Sequence, residues 1–437
     1  MKKQLLIFII FGPIIIILSG WFMLKHLKGE KTIDETKTVF IKKTDKGFQL
    51  YRNGNAFYIR GASGNSHFRD LSLIGGNTIR LYDTLHLASF LDEAQKCGLA
   101  VIVDIPIPEY QTGAYLNEEF NSRLKQEIKD LVKKHRAHPA LLMWNLGNEV
   151  GYPMVFRKNR FIDTFNDLID LIHTNDPDHP VGTAIFNNYN LLAIYLHSPQ
   201  LDVVSCNVFG SLIKLKSFIS KLNYFINPIP YYISEWGTNG PWEVEMTNWG
   251  APIEPTSTKK GEQCRGKFIT LITPNSQCLG SLIFYWGQKQ EKTPTWFSIF
   301  DDQGRKTQTY YDLQRAWKNQ SINTYLPPQI RYMLVDKKGA SDQLVFTPNE
   351  IKNAQIFLAT DYDSTLQFNW EIYEEDWVEG IGKKINKISD CFESIENTKA
   401  TFRSPAIEGP YRIFAYVYDQ HGYVASVNTP FYVMDKQ

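Results

Sequence analysis

Cysteine is scarce: the 437 residues hold five, Cys97, Cys206, Cys264, Cys278 and Cys391, with no C-x-x-C. An odd, sparse set excludes a disulfide-built fold, and no Cys/His spacing resembles a metal site. Cys206 lies in an apolar run and reads as a buried thiol. Cys264 and Cys278 flank an expected helix and are candidates for a pair. An excess of one charge is also missing. Lys and Arg number 47 and Asp and Glu 46, a formal net charge of +1, so nothing suggests nucleic acid or another polyanion as partner. No G-x-G-x-x-G or P-loop opens a helix, which argues against a nucleotide-binding doubly wound sheet. No G-x-S-x-G or Ser/His/Asp order points to a serine hydrolase. His67, His86, His173 and His197 lack the spacing of a zinc site, and Asp301-Asp302 reads as a turn cap. No metal or organic cofactor is expected. Internal repeats and low-complexity tracts are absent.

One long hydrophobic run is present. After Lys2 and Lys3, Leu5 to Leu24 gives about 20 apolar residues, enough to span a bilayer as a helix. Pro13 and Gly20 are tolerable there, and no A-x-A-like cleavage site follows. Residues 1–31 are therefore read as an uncleaved membrane anchor; Lys2 and Lys3 are matched by Lys25, Lys28 and Lys31, so the placement of the remainder outside the cytoplasm, in the periplasm or at the cell surface, rests on the expected function. Aromatics are plentiful, with 10 Trp and 23 Tyr. Such side chains fill a large core or stack on sugar rings.

Beyond the anchor, the Asn53-Gly54 dipeptide between two alternating runs predicts a hairpin. Strand-like runs then follow at 57–62, 78–82, 100–105, 140–146, 181–185, 203–208, 231–234 and 281–286. Helical periods lie between them, as in Phe120, Leu124, Ile128, Leu131 and Val132, and over 87–97, which Gly98 stops. Eight strands alternating with helices predict an α/β fold of the (β/α)8 TIM-barrel type over 32–326. A helix over 310–317 closes it. After Pro327-Pro328 the pattern turns all-β, with runs at 355–360, 366–373, 411–418 and 429–433. That predicts a small immunoglobulin-like β-sandwich over 327–437.

Two of the barrel runs end in glutamate. Leu141 to Leu146 leads into Gly147-Asn148-Glu149-Val150, and Tyr231 to Ile233 leads into Ser234-Glu235-Trp236-Gly237. By count these are the fourth and seventh runs. Paired carboxylates at the ends of barrel strands suit the cleavage or transfer of a glycosidic bond, one attacking the sugar while the other gives and takes a proton.

Those two motifs resemble the retaining glycoside hydrolases whose acid/base and nucleophile glutamates end the fourth and seventh barrel strands. Over 48–317 the overall likeness is to the TIM-barrel domain of glycoside hydrolase family 2. The motifs are also similar to those of the family 72 β-1,3-glucanosyltransferases. The resemblance implies that Glu149 is the acid/base and Glu235 the nucleophile. It implies that Asn148 binds the sugar 2-hydroxyl, that Arg80 holds the nucleophile ionised, and that Trp286 is the aromatic platform beneath the sugar. Asn207 and Trp236 complete the expected substrate-binding set. Trp242, Trp249 and Trp296, on the loops after the seventh and eighth strands, either stack sugars or pin those loops. Two departures stand out. Asn207-Val208-Phe209 has a phenylalanine where family members often carry tyrosine, and no β-domains fit ahead of the barrel.

The expected activity is that of a retaining β-glycoside hydrolase acting on a cell-envelope or environmental polysaccharide, β-glucan-like. The alternatives are a β-glucanosyltransferase using the same residues, or a catalytically inactive glycan-binding envelope protein. Retention of both glutamates, Arg80 and Asn148 argues against the last.

Overall fold

The computed structural model describes residues 34–154, 157–273, 275, 277–318, 325–359, 365–375 and 385–435. An antiparallel sheet comes first, with β1 (Val39–Thr44), β2 (Gly47–Arg52) and β3 (Asn55–Phe57) in that order. The hairpin turn falls on Asn53-Gly54, with φ of 50° and 73°, the positive angles that this turn requires. The sequence reading misses β1, whose VFIKKT buries only its first two residues.

Eight strands follow: β4 (Ile59–Ser63), β5 (Thr78–Leu81), β6 (Ala100–Ile105), β7 (Leu141–Asn148), β8 (Val181–Ile185), β9 (Val203–Asn207), β10 (Tyr231–Trp236) and β11 (Cys278–Phe284). They close into a barrel in the order β10-β11-β4-β5-β6-β7-β8-β9. Successive pairs from β5 to β9 run parallel. Every residue of β5, β6, β8, β9 and β10 is buried. Parallel strands covered on both faces need such continuous apolar runs rather than alternation. The helix Glu118–His135 shows the complementary pattern, burying Leu124, Ile128 and Val132 on one stripe. Its start is fixed by Asn117, whose side chain accepts the Phe120 N–H at 3.0 Å.

The chain divides into two compact units. The first takes the residues up to Gly61, Asn77–Ser234 and Asn275–Leu282; the second takes Ala62–Gly76, Glu235–Pro274 and the residues from Ile283 on. Within the first, the N-terminal sheet lays Val39 and Leu50 on Ile59, Ala100, Ile102, Leu142, Met143, Val203 and Tyr232. All of these stand in the first three residues of their barrel strands. The sheet thus plugs the barrel at the end where its strands begin, opposite the end to which this fold delivers its chemistry.

Within the second unit, β12 (Ile330–Val335), β13 (Val345–Phe346), β14 (Ile351–Leu358), β15 (Gln367–Glu374), β16 (Phe392–Glu396), β17 (Lys399–Arg403), β18 (Gly409–Tyr418) and β19 (Val424–Val433) form a β-sandwich. Its sheets are ordered β12-β14-β17-β16 and β13-β19-β18-β15. Ile356, Trp370, Ile372, Phe402, Ile413 and Phe431 fill the space between them. Asp301 caps a turn as expected, accepting the Gln303 and Arg305 N–H groups at 3.0 and 2.8 Å.

Two expectations need correction. The membrane anchor over 1–31, the transmembrane helix on which the extracytoplasmic membrane placement also depended, lies outside the described residues. Among those residues no helix is long and apolar enough to cross a membrane. The longest, Glu118–His135, carries charged side chains along its exposed face. Membrane anchoring is therefore withdrawn. Cys264 and Cys278 are not paired; both are buried free thiols, as are Cys206 and Cys391. Burial pushes the Cys264 and Cys278 thiols up to about 12, far from the reactive thiolate.

Leu50 is fully buried in the plug, so Leu50→Ala leaves a cavity worth about 2–5 kcal/mol. Urea denaturation is expected to show a loss in that range. A loss below about 1 kcal/mol, the size of a surface substitution, would mean that the sheet does not close the barrel.

Candidate active site

The site is built at the end of β7. Between Asn145 and Asn148 the register with β8 slips, a bulge that bends the strand and re-aims its last side chains. Gly147 permits it. Its φ is 75°, and a Cβ there would stand 2.4 Å from Val150 Cγ1 and 3.0 Å from Ile107 Cγ1. Glu149 follows with φ of 54°, a left-handed conformation that costs a non-glycine residue of order 1–3 kcal/mol. Its N–H donates to the Ala184 carbonyl at 2.9 Å, which anchors the strained residue on β8.

Behind this strand end lies a buried cation. Arg80, on β5, is completely enclosed. Its Nε and Nη2 donate to the two oxygens of Asp104 on β6 at 3.0 and 2.6 Å. Nη2 also reaches Asn148 Oδ1 at 2.8 Å, and Nη1 reaches the Ser234 carbonyl at 3.5 Å. Its guanidinium carbon stands 4.7 Å from the Tyr82 ring centre. A bidentate carboxylate is the partner a buried guanidinium requires. Burial drives the Asp104 carboxyl above its ordinary value, and Arg80 opposes that rise.

Asn207, the last residue of β9, ties the network together. Its Nδ2 donates to Glu149 Oε1 at 2.6 Å and to Asn148 Oδ1 at 3.1 Å, while its Oδ1 accepts the Ser234 hydroxyl at 2.6 Å. All its side-chain capacity but one lone pair is thus used on protein groups. Asn207 holds Glu149 and Asn148 in place. Asn148 Oδ1 takes donors from both Arg80 and Asn207, so its amide nitrogen is turned away from them. Asn148 is itself exposed and Glu149 half-buried.

The structure thus gathers Arg80, Asn148, Glu149 and Asn207, and adds Asp104 and Ser234, which the sequence reading did not single out. Asp104 had a signal, a lone carboxylate inside the apolar run AVIVDI. Ser234 had none beyond preceding Glu235. Glu235 is the next residue of β10 and is 7% exposed. The tryptophans lie in the second unit. Trp286 is fully buried, its indole N–H donating to the His67 carbonyl at 3.1 Å. Trp236 is fully buried against Phe268. Trp296 is buried too and donates to the Asn239 carbonyl at 3.0 Å, which pins the loop. Trp249 is half-buried beside Tyr432, whereas Trp242 is 60% exposed.

An eight-stranded barrel with a pinned Asn-Glu pair after its fourth strand and a glutamate near the end of its seventh defines the class: a (β/α)8 barrel with its polar apparatus at the strand ends. Residues 77–240 match the model for glycosyl hydrolases family 2, TIM barrel domain. Curated relatives include a putative beta-glucuronidase of Formosa agariphila, 24% identical over 211 residues, covering 43% of this chain and 24% of the relative. A beta-glucuronidase of Paenibacillus borealis is 24% identical over 231 residues, covering 47% of this chain and 37% of its own. The chain thus spans well under half the length of these relatives. Among solved structures, an FMN-binding beta-glucuronidase from Facaelibacterium prausnitzii shares the fold at a TM-score of 0.51 and 18% identity, over 92% of this chain and 59% of that one. The beta-D-glucuronidase of Dictyoglomus thermophilum does so at 0.51 and 16%, over 65% and 54%.

Replacing Asp104 by Asn leaves the buried guanidinium without its counter-charge, a loss of about 3–5 kcal/mol. The double variant Arg80→Met/Asp104→Leu removes both charges and is expected to cost less than the sum of the single changes, as a thermodynamic cycle by urea denaturation would measure. Additive losses would show that the two groups do not depend on each other.

Proposed function

We propose that the chain is a retaining β-glycoside hydrolase working by double displacement. Glu235 attacks the anomeric carbon while Glu149 delivers its proton to the leaving oxygen, so the glycosidic bond breaks as the glycosyl–Glu235 ester forms. Glu149, now a carboxylate, takes a proton from water. The hydroxide attacks the same carbon, releasing the sugar and restoring Glu235. The observation that carries this reading is the hydrogen-bonded set around Glu149. Asn207 fixes one carboxyl oxygen of Glu149 and leaves the other for the leaving group. The Asn148 oxygen is held by two donors, which commits its amide hydrogens to a ligand acceptor such as a sugar hydroxyl. The fourth-strand and seventh-strand placement of the two glutamates in a family 2 barrel supports the pairing. On this reading residues 32–326 carry the chemistry, and the sandwich over 327–437 is an immunoglobulin-like accessory. The names of the curated relatives make β-glucuronides the first substrates to try, beside β-glucosides, β-galactosides and β-mannosides.

Two variants separate the roles. Glu235→Gln cannot form the covalent intermediate and is expected to be inactive toward good and poor leaving groups alike. Glu149→Gln loses proton transfer, typically about 10²–10⁴-fold, but keeps glycosyl-enzyme formation with an aryl glycoside that departs unprotonated. Azide then accelerates turnover of the Glu149 variant and yields the β-glycosyl azide. The reverse pattern would exchange the two roles, and full activity in both variants would place the chemistry elsewhere.

A further inference from the structure

Three successive barrel loops beside Glu149 expose large apolar side chains. Met154, after β7, is 59% exposed; Phe186 and Tyr189, after β8, are 58% and 67% exposed; Tyr110, after β6, is 36% exposed. Exposed apolar residues scattered singly need no explanation, but a run of them on adjoining loops does.

These loops are bound to one another. The Tyr110 N–H donates to the Val150 carbonyl at 2.8 Å, joining the loops after β6 and β7. Asn190 Nδ2 donates to the Tyr152 carbonyl at 2.5 Å, joining those after β7 and β8. Beneath them Phe161 meets the edges of Tyr110, Tyr115 and Tyr152 at 5.7, 5.0 and 5.7 Å. Tyr189 meets the edge of Phe218 at 5.6 Å and is two-thirds exposed. Tyr110 thus rests on a packed aromatic base, while Met154 and Phe186 are more than half exposed. They are also close to the acid. Phe186 stands two residues past Ala184, whose carbonyl receives the Glu149 N–H.

We infer that this rim is the leaving-group side of the site and that it takes β-glycosides whose aglycone is an apolar chain or ring. The inference rests on the reading of Glu149 as the acid. That acid must touch the departing oxygen, so the group attached to this oxygen lies over the loops flanking Glu149. Two loops that present Met154, Phe186 and Tyr189 there match an apolar group, which loses water on docking, better than a hydrated sugar.

The test uses methyl, butyl and octyl β-glycosides of one sugar, whose leaving alcohols differ little in acidity, with the sugar chosen from an aryl-glycoside screen. Each methylene that the rim buries is expected to raise kcat/KM about fourfold until the rim is covered. Phe186→Ser/Tyr189→Ser is expected to pull the octyl-to-methyl ratio toward one; both side chains face solvent, so folding is preserved. A flat alkyl series, or a steep one that the double variant leaves unaltered, overturns this inference alone. Absence of turnover on every aryl and alkyl glycoside overturns the proposed activity and this inference with it.

Discussion

A guanidinium sealed from water must have its charge and its donors met from within, and in this barrel that requirement organises the neighbouring polar groups. Arg80 cannot keep its place without Asp104, since an uncompensated buried charge costs more than an isolated domain can readily spare. With Asp104 occupying Nε and part of Nη2, Nη2 also donates to Asn148 and Nη1 to the Ser234 carbonyl. Asn148 thereby loses its choice of rotamer. Its oxygen is claimed, and only its nitrogen is left to face a ligand. The orientation of an exposed amide is thus dictated by an ion pair carried on the two preceding strands.

A second constraint is local and steric. The bulge at Gly147 and the left-handed turn at Glu149 put Asn148 and Glu149 on one side of the strand end, where a regular strand would send them to opposite faces. Such a conformation persists only when its surroundings over-determine it. Here the Ala184 carbonyl holds the Glu149 backbone and Asn207 holds its side chain. Asn207 therefore fixes both residues of the pair at once.

Legibility in the sequence followed the physics of burial. Strands β6 and β8 were bounded to the residue from sequence, because a strand covered on both faces is a continuous apolar run with polar punctuation. The helix Glu118–His135 was legible from its single stripe. The sandwich strands β16, with FESIE, and β17 were not, since their partly exposed pattern lacks a sustained apolar side. Glu149, Asn148 and Arg80 were legible as residue types at strand ends. The destination of a hydrogen bond was not. Nothing local to Asn207 or Ser234 says that they bond each other, because 27 residues of chain separate them. The burial of a side chain beyond a run was not legible either: Trp286, at the end of the run 281–286, and Trp236, two residues past the run 231–234, are both fully buried.

The segment that continues from Glu235 is held by a different device, internal to the second unit. Lys267 donates to the Gly237 carbonyl and to Asn239 Oδ1, both at 2.8 Å, and burial lowers its pKa. Further on, Glu254 pairs with Lys260 and accepts the hydroxyls of Thr293 and Thr295 and the amide of Asn428 on β19. Arg412 on β18 binds Glu375 through two donors and gives another to the Pro252 carbonyl. These charges are almost wholly enclosed, and an enclosed ion pair adds little net stability over an apolar equivalent. What it does add is intolerance of displacement, because moving either partner exposes an unpaired charge to a medium that cannot solvate it. The loop descending from Glu235 is thereby kept in register. Buried ion pairs fastened to a sandwich supply that rigidity where apolar contacts, which slide at little cost, would not.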